Sequence, residues 1–182
     1  AEAAKLQALI DKQKGGFQLK PWNWDFYAEQ VRKAEYDLDQ AAIKPYFELE
    51  SVLQNGVFHA AHALYGLTFK ERKDLPTYHP DVRVFDIMDS SGTQIGLFYG
   101  DYYARDNKEG GAWMDSYLDP CELLDQPALI TQNCNYVKPA AGQHCLLSWD
   151  DVTTLFHEFG HALHGMLSRQ KYPLFAGTAT TT

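Results

Sequence analysis

A chain of 182 residues with 45% hydrophobic and 22% charged side chains can bury a sizeable core, which excludes a disordered or collagen-like polypeptide. Its net charge of −8, from 16 Lys and Arg against 24 Asp and Glu, is dispersed along the chain, so nucleic acid is not an expected partner. It has no run of about 18 apolar residues, and no membrane partner is expected.

The N-terminus, Ala1 to Lys5, has neither an initiator Met nor the features of a signal peptide, and the chain is expected to be a segment incomplete at both ends. Cys121, Cys134 and Cys145 form an odd set without a Cys-x-x-Cys pair. They read as reduced thiols of a cytoplasm-like compartment; a single disulfide with one cysteine left over is the alternative.

Residues 2–13 read as a helix stopped at Gly15-Gly16. Pro21 to Asp25 opens a second helix, in which Tyr27, Val31, Ala34 and Leu38 recur at helical spacing. Glu48 to Leu64 predicts a third, with Leu49, Val52, Leu53, Ala60 and Leu64 facing inward and Gly66 as its stop. Val82 to Met88 and Gln94 to Tyr103 are rich in β-branched and aromatic residues, and Ser90-Ser91-Gly92-Thr93 joins them as a hairpin. Arg105 to Gly111 is a polar loop, and Gly110-Gly111 reads either as a turn or as a mobile loop over a cleft. Ala128 to Cys134 is a further strand. The expected class is therefore α+β, predominantly α-helical with a small antiparallel sheet made of the hairpin near 82–103 and the strand near 128–134.

The last helix is the best marked. Ser148 followed by Asp151 is close to a capping box, and Pro173 sets a limit, so the helix is expected to run to about Gln170. Val152, Phe156, Phe159, Leu163 and Met166 form an apolar stripe. His157 lies about 200° round the helix from Phe159, so one face packs and the roughly opposite face carries imidazoles.

That second face contains His157-Glu158-Phe159-Gly160-His161, a His-Glu-x-x-His pattern. Histidines at i and i+4 lie one turn apart and can both reach one Zn²⁺ ion at about 2.0–2.1 Å. Glu158, about 60° round from His161, can reach a water on the ion as general base without being a ligand. Zinc needs a third protein ligand. His164 lies about 10.5 Å along the axis from His157, too far for easy sharing, and is expected to line the cleft or support the ligands instead. After Glu158 the chain has no Asp or Glu, so the third ligand is expected upstream or beyond Thr182. Gly160 is either tolerated or marks the close approach of another backbone. Cys134 reads as a buried thiol, and His59, His62, His79 and His144 as satisfied or loop histidines.

Asp150 to Gly165 closely resembles the zinc-helix signature of the thimet oligopeptidase family of metallopeptidases, nearest its bacterial peptidyl-dipeptidase branch. The resemblance extends to Trp24-Asp25-Phe26-Tyr27, Lys44-Pro45-Tyr46-Phe47, Gly96-Leu97-Phe98-Tyr99, Gly110 to Asp115, and Asn133-Cys134-Asn135-Tyr136. It implies a cytoplasmic or periplasmic zinc enzyme that cleaves short peptides in a cleft between mostly helical halves. It also implies a third ligand Glu beyond Thr182. The expected reaction is hydrolysis of oligopeptides with release of C-terminal dipeptides. An endo-acting oligopeptidase of the same family, and a non-catalytic interaction segment with an incidental His pair, are the alternatives. The 182-residue segment alone is expected to be inactive, with the remainder of the parent polypeptide as its partner. Residues 128–133 (Ala128, Leu129, Ile130, Thr131, Gln132 and Asn133) are expected to form an exposed edge strand that pairs with the substrate backbone.

Overall fold

The structure, a computed structural model, describes residues 2–36 and 40–178. Leu38, expected on the second helix, lies outside the described residues. The chain forms two compact units, Ala1–Ile43 and Lys44–Thr182.

The first unit contains helices α1 (Glu2–Lys12), α2 (Trp24–Tyr36) and the short α3 (Gln40–Ile43). Leu6, Ile10 and Tyr27 are its buried centre, with Leu9, Trp24 and Val31 packed around them. The break at Gly15-Gly16 is fixed from α1 itself. The Gln7 side-chain nitrogen donates to the Phe17 carbonyl, and its oxygen accepts from the Leu19 N–H.

The second unit is built on a five-stranded sheet: β1 (Thr68–Arg72), β2 (Arg83–Met88), β3 (Gln94–Tyr103), β4 (Trp113–Leu118) and β5 (Ala128–Tyr136), in the spatial order β1-β2-β3-β5-β4. The hairpin is present as expected. Its turn is closed by the Asp89 carboxylate, which accepts from the Ser91 and Thr93 N–H groups, while Gly92 supplies the positive φ. The class is α+β, but the sheet is larger than expected and mixed, because β3 and β5 pair in parallel. The chain passes from β3 out to β4 at the edge and returns antiparallel to it, which inserts β5 between the two.

This topology corrects the expected edge strand. Residues 128–134 are interior, with β3 hydrogen-bonded on one side and β4 on the other, so they cannot also pair with a substrate backbone. Ala128, Ile130, Thr131, Gln132 and Asn133 are all buried, and near-continuous burial is what a central strand covered on both faces shows. The edges are β1 and β4, neither of which was expected as a strand; β1 carries Lys70, Glu71 and Arg72, whereas β4 is mostly apolar apart from Asp115 and Ser116. Edge strands commonly carry charge and polarity that discourage aggregation.

A continuous helical segment precedes the sheet: α4 (Leu49–Ser51), a π-helical stretch (Val52–Phe58) and α5 (His59–Tyr65), ending at Gly66 with φ 71°. Leu49, Val52 and Leu53 face inward as expected. Ala60 is only half-buried and Leu64 is exposed; Val57, Phe58 and Ala61 are buried in their place. The wider π turn adds residues per turn and rotates the inward face after Leu53. Phe58 anchors an aromatic cluster, stacked on Phe69 at 4.2 Å and edge-on to Phe85 and Phe98.

The last helix, α6 (Trp149–Leu167), closes this core with Val152, Leu155, Phe159, Ala162 and Met166. Its capping box is complete. It stops three residues before the expected Gln170, where Ser168 leaves helical geometry and the chain pairs Gln170 with Cys121. Phe156, expected on the packed stripe, is 40% exposed and lies over Gly56, where an added Cβ would stand 3.2 Å from its ring.

Candidate metal centre

The outward face of α6 presents His157, Gly160, His161 and His164, all exposed, with Glu158 half-buried beside them. The two imidazoles meet. His157 Nε2 and His161 Nε2 are 3.2 Å apart, and the rings are nearly perpendicular. Two nitrogens bound to one tetrahedral zinc at the usual bond length would stand about 3.3 Å apart. That separation is within hydrogen-bond range, so one ring N–H can donate to the other ring nitrogen, and it also matches the spacing that a shared zinc ion would require.

Among the described residues no group of three His, Cys, Asp or Glu side chains is placed to hold a metal. No third side chain of these types stands with His157 and His161 there, and His164 does not complete a set. His164 instead lines an open hollow of about 400 Å³ with Tyr65, Gly160, Leu163, Leu167 and Ser168. Gly160 borders that hollow with nothing within 4 Å of its Cβ position, so no described backbone approaches it.

The other candidates stay apart from the pair. Cys121, Cys134 and Cys145 are buried and free. Burial pushes the Cys134 thiol up to about 11, as expected of an inert core cysteine. His62 Nδ1 lies 3.2 Å from the Leu67 carbonyl, and His144 lies 3.8 Å from Glu48. The Gly110-Gly111 loop is tied down: the Asn135 side chain donates to the Glu109 and Gly111 carbonyls at 2.6 and 2.8 Å.

Comparison with known proteins agrees with the family resemblance carried by α6. The model of peptidase family M3 matches residues 1–182. The chain belongs to peptidase family M3. It is 56% identical to the dipeptidyl carboxypeptidase of Escherichia coli over 179 residues, and 54% identical to that of Salmonella typhimurium. These alignments cover 98% of the chain and 26% of each relative. Oligopeptidase A of Escherichia coli is 41% identical over 171 residues, covering 92% of the chain and 25% of that protein. The chain thus spans about a quarter of the length of the curated relatives it matches. In this M3 segment no helix among the described residues is long and apolar enough to cross a membrane.

Sequence reasoning missed two features around α6. One is the sheet edge at β4, against which α6 also packs; Met114 lies near Gly165. The other is a pair of hydrogen bonds from β5 to carbonyls of α6, from Gln132 to Leu155 and from Tyr136 to Asp151. The second left only a weak signal, a Gln inside the segment read as a substrate platform and a Tyr two residues beyond the expected strand.

Proposed function

We propose that the protein containing this segment is a zinc peptidase that hydrolyses short peptides and releases dipeptides from their C-termini. The observation that carries this reading is the 3.2 Å convergence of His157 Nε2 and His161 Nε2 on the exposed face of α6. The greater identity to dipeptidyl carboxypeptidases than to oligopeptidase A favours dipeptide release over internal cleavage.

His157 and His161 hold the ion, and the parent polypeptide beyond Thr182 supplies the third ligand. When bound, zinc contributes Lewis acidity, which makes a water nucleophilic near neutral pH and polarises the scissile carbonyl. Glu158, adjacent in sequence to one ligand and displaced round the helix, takes the proton of the attacking water on a carboxylate oxygen. It then delivers that proton to the leaving amine nitrogen. His164 lines the hollow next to the ligands. The outer edge of β4, with which no described strand pairs, takes over the platform role expected of residues 128–133, since an unpaired strand edge suits main-chain pairing with an extended peptide. The 182-residue segment by itself is inactive on this reading, since its ion would lack a ligand.

The test is zinc content of the intact parent by atomic absorption, together with cleavage of a quenched peptide bearing either a free or an amidated C-terminus. About one zinc per chain and activity only on the free C-terminus are expected. Equal cleavage of both substrates would indicate an endo-acting oligopeptidase. Absence of both zinc and activity would make the His pair incidental.

A further inference from the structure

Gln132 and Tyr136 lie on the same face of β5, beneath α6. The Gln132 side-chain nitrogen donates to the Leu155 carbonyl at 2.8 Å, and the Tyr136 hydroxyl donates to the Asp151 carbonyl at 3.3 Å. The two acceptors are one helical turn apart, in the half of α6 that precedes His157. Gln132 is fully buried, and its side-chain oxygen has no hydrogen-bond partner. A Met of similar size would fill that space without leaving a buried acceptor unsatisfied, so stability alone does not account for an amide here.

We propose that Gln132 and Tyr136 are positioning residues that clamp α6 against the sheet and so set the direction of the two metal-binding imidazoles. This rests on the zinc-peptidase reading above. Apolar packing along Val152, Leu155, Phe159 and Ala162 fixes the separation of helix and sheet but resists rolling and sliding weakly, because dispersion is not directional. Hydrogen bonds to two carbonyls one turn apart oppose both motions. The imidazoles project from the opposite face of the helix, where rolling by about 10° moves a side-chain tip by on the order of 1 Å. Metal sites demand placement within about 0.5 Å. The orphaned oxygen of Gln132 is then the cost of holding the amide where its N–H reaches Leu155.

The experiment uses the intact parent with Gln132→Met, Tyr136→Phe and both together. It reads metal affinity by chelator competition, the visible spectrum of the cobalt-substituted protein, kcat and KM separately, and thermal stability of the metal-free form. Expected for the double variant is roughly tenfold weaker metal binding, the size of loss typical when support of a ligand is removed. A changed cobalt spectrum and a lower kcat at unchanged KM should accompany it, with metal-free stability close to that of the parent. If Gln132→Met does not fold, Tyr136→Phe, which removes a single oxygen, carries the test with a smaller loss of the same kind. Variants that match the parent in metal affinity, spectrum and kcat overturn the clamp alone, whether or not they are less stable. A parent that binds no metal overturns the peptidase reading and the clamp with it.

Discussion

The polar cluster around Asp101 and the imidazole pair on α6 use ionisable side chains in opposite ways. Asp101 is buried and accepts from both terminal Arg105 nitrogens at 2.8 Å, Lys108 Nζ at 2.9 Å and the Tyr78 hydroxyl at 3.0 Å. Lys108, also buried, directs further bonds to the Asp101 and Tyr103 carbonyls. Burial alone would raise the Asp101 carboxyl, yet the bonds from Arg105 and Lys108 hold it below the usual carboxylate range. For Lys108, burial lowers the ammonium more than the shared carboxylate lifts it. This cluster is closed: its charges satisfy one another. On α6 the nitrogens of His157 and His161 converge on the exposed side and meet only each other. Charge buried and fully paired points to architecture; donors that converge and stay open point to a ligand.

Glu158→Gln in the intact parent tests the open side of this contrast most severely. It removes the proton acceptor but no ligand, so activity should fall by about 10²–10⁴-fold while zinc stays bound. Near-parental turnover in the variant, measured with zinc content on the same sample, would remove Glu158 from its role.

Asp101→Ala tests the closed side. It leaves Lys108, 2% exposed at its side chain, without its carboxylate. Removing one member of a buried ion pair costs about 3–5 kcal/mol, and denaturant unfolding of the parent should show a loss of that order. Activity per folded molecule should stay unchanged under conditions where the variant is folded. A loss below about 1 kcal/mol would mean the cluster is not the anchor its geometry suggests.

The same carboxylate sets an acid limit. Its folded-state value lies below its unfolded one, near 3.9, so its contribution to stability is fully present above that value. That contribution is lost as pH falls through the folded value. The stability difference between the parent and Asp101→Asn should therefore be constant at neutral pH and shrink below about pH 4. A difference independent of pH down to strong acid would show that the carboxylate's charge is not what stabilises the fold.

How far the sequence could be read follows from the same contrast. The helix period, the Ser148 cap and the His-Glu-x-x-His spacing are local, so α6 and the imidazole pair were legible in 148–168. The hairpin was legible because Asp89 to Thr93 carries its own turn chemistry. What failed depended on partners distant in the chain. Thr131, Gln132 and Asn133 looked like the polar residues of an exposed strand, but the fold places them between β3 and β4. Lys70, Glu71 and Arg72 drew no strand expectation, but they pair with β2, where Arg72 binds Asp86 and Glu71 binds Arg83. The inward face of 49–65 failed for a backbone reason, since a π turn has no reliable sequence mark.

The smallest effect expected is at the start of α6, and it separates helix stability from site geometry. The Ser148 hydroxyl oxygen accepts from the Asp151 N–H at 3.1 Å, while the Asp151 carboxylate accepts from the Ser148 N–H at 2.9 Å. Ser148→Ala removes the side-chain half of this box and should cost about 1 kcal/mol; Ser148→Gly should cost only a few tenths. Ser148 lies more than two turns before His157, and the bonds from Tyr136 and Gln132 intervene at Asp151 and Leu155. Fraying at the N-terminus should stop at those bonds. Denaturant unfolding should then show Ser148→Ala as less stable, with chelator competition returning the parental metal affinity. If metal affinity instead falls as far as it does in the Gln132→Met and Tyr136→Phe variants, imidazole placement depends on the integrity of the whole helix, and the division of labour between cap and clamp fails.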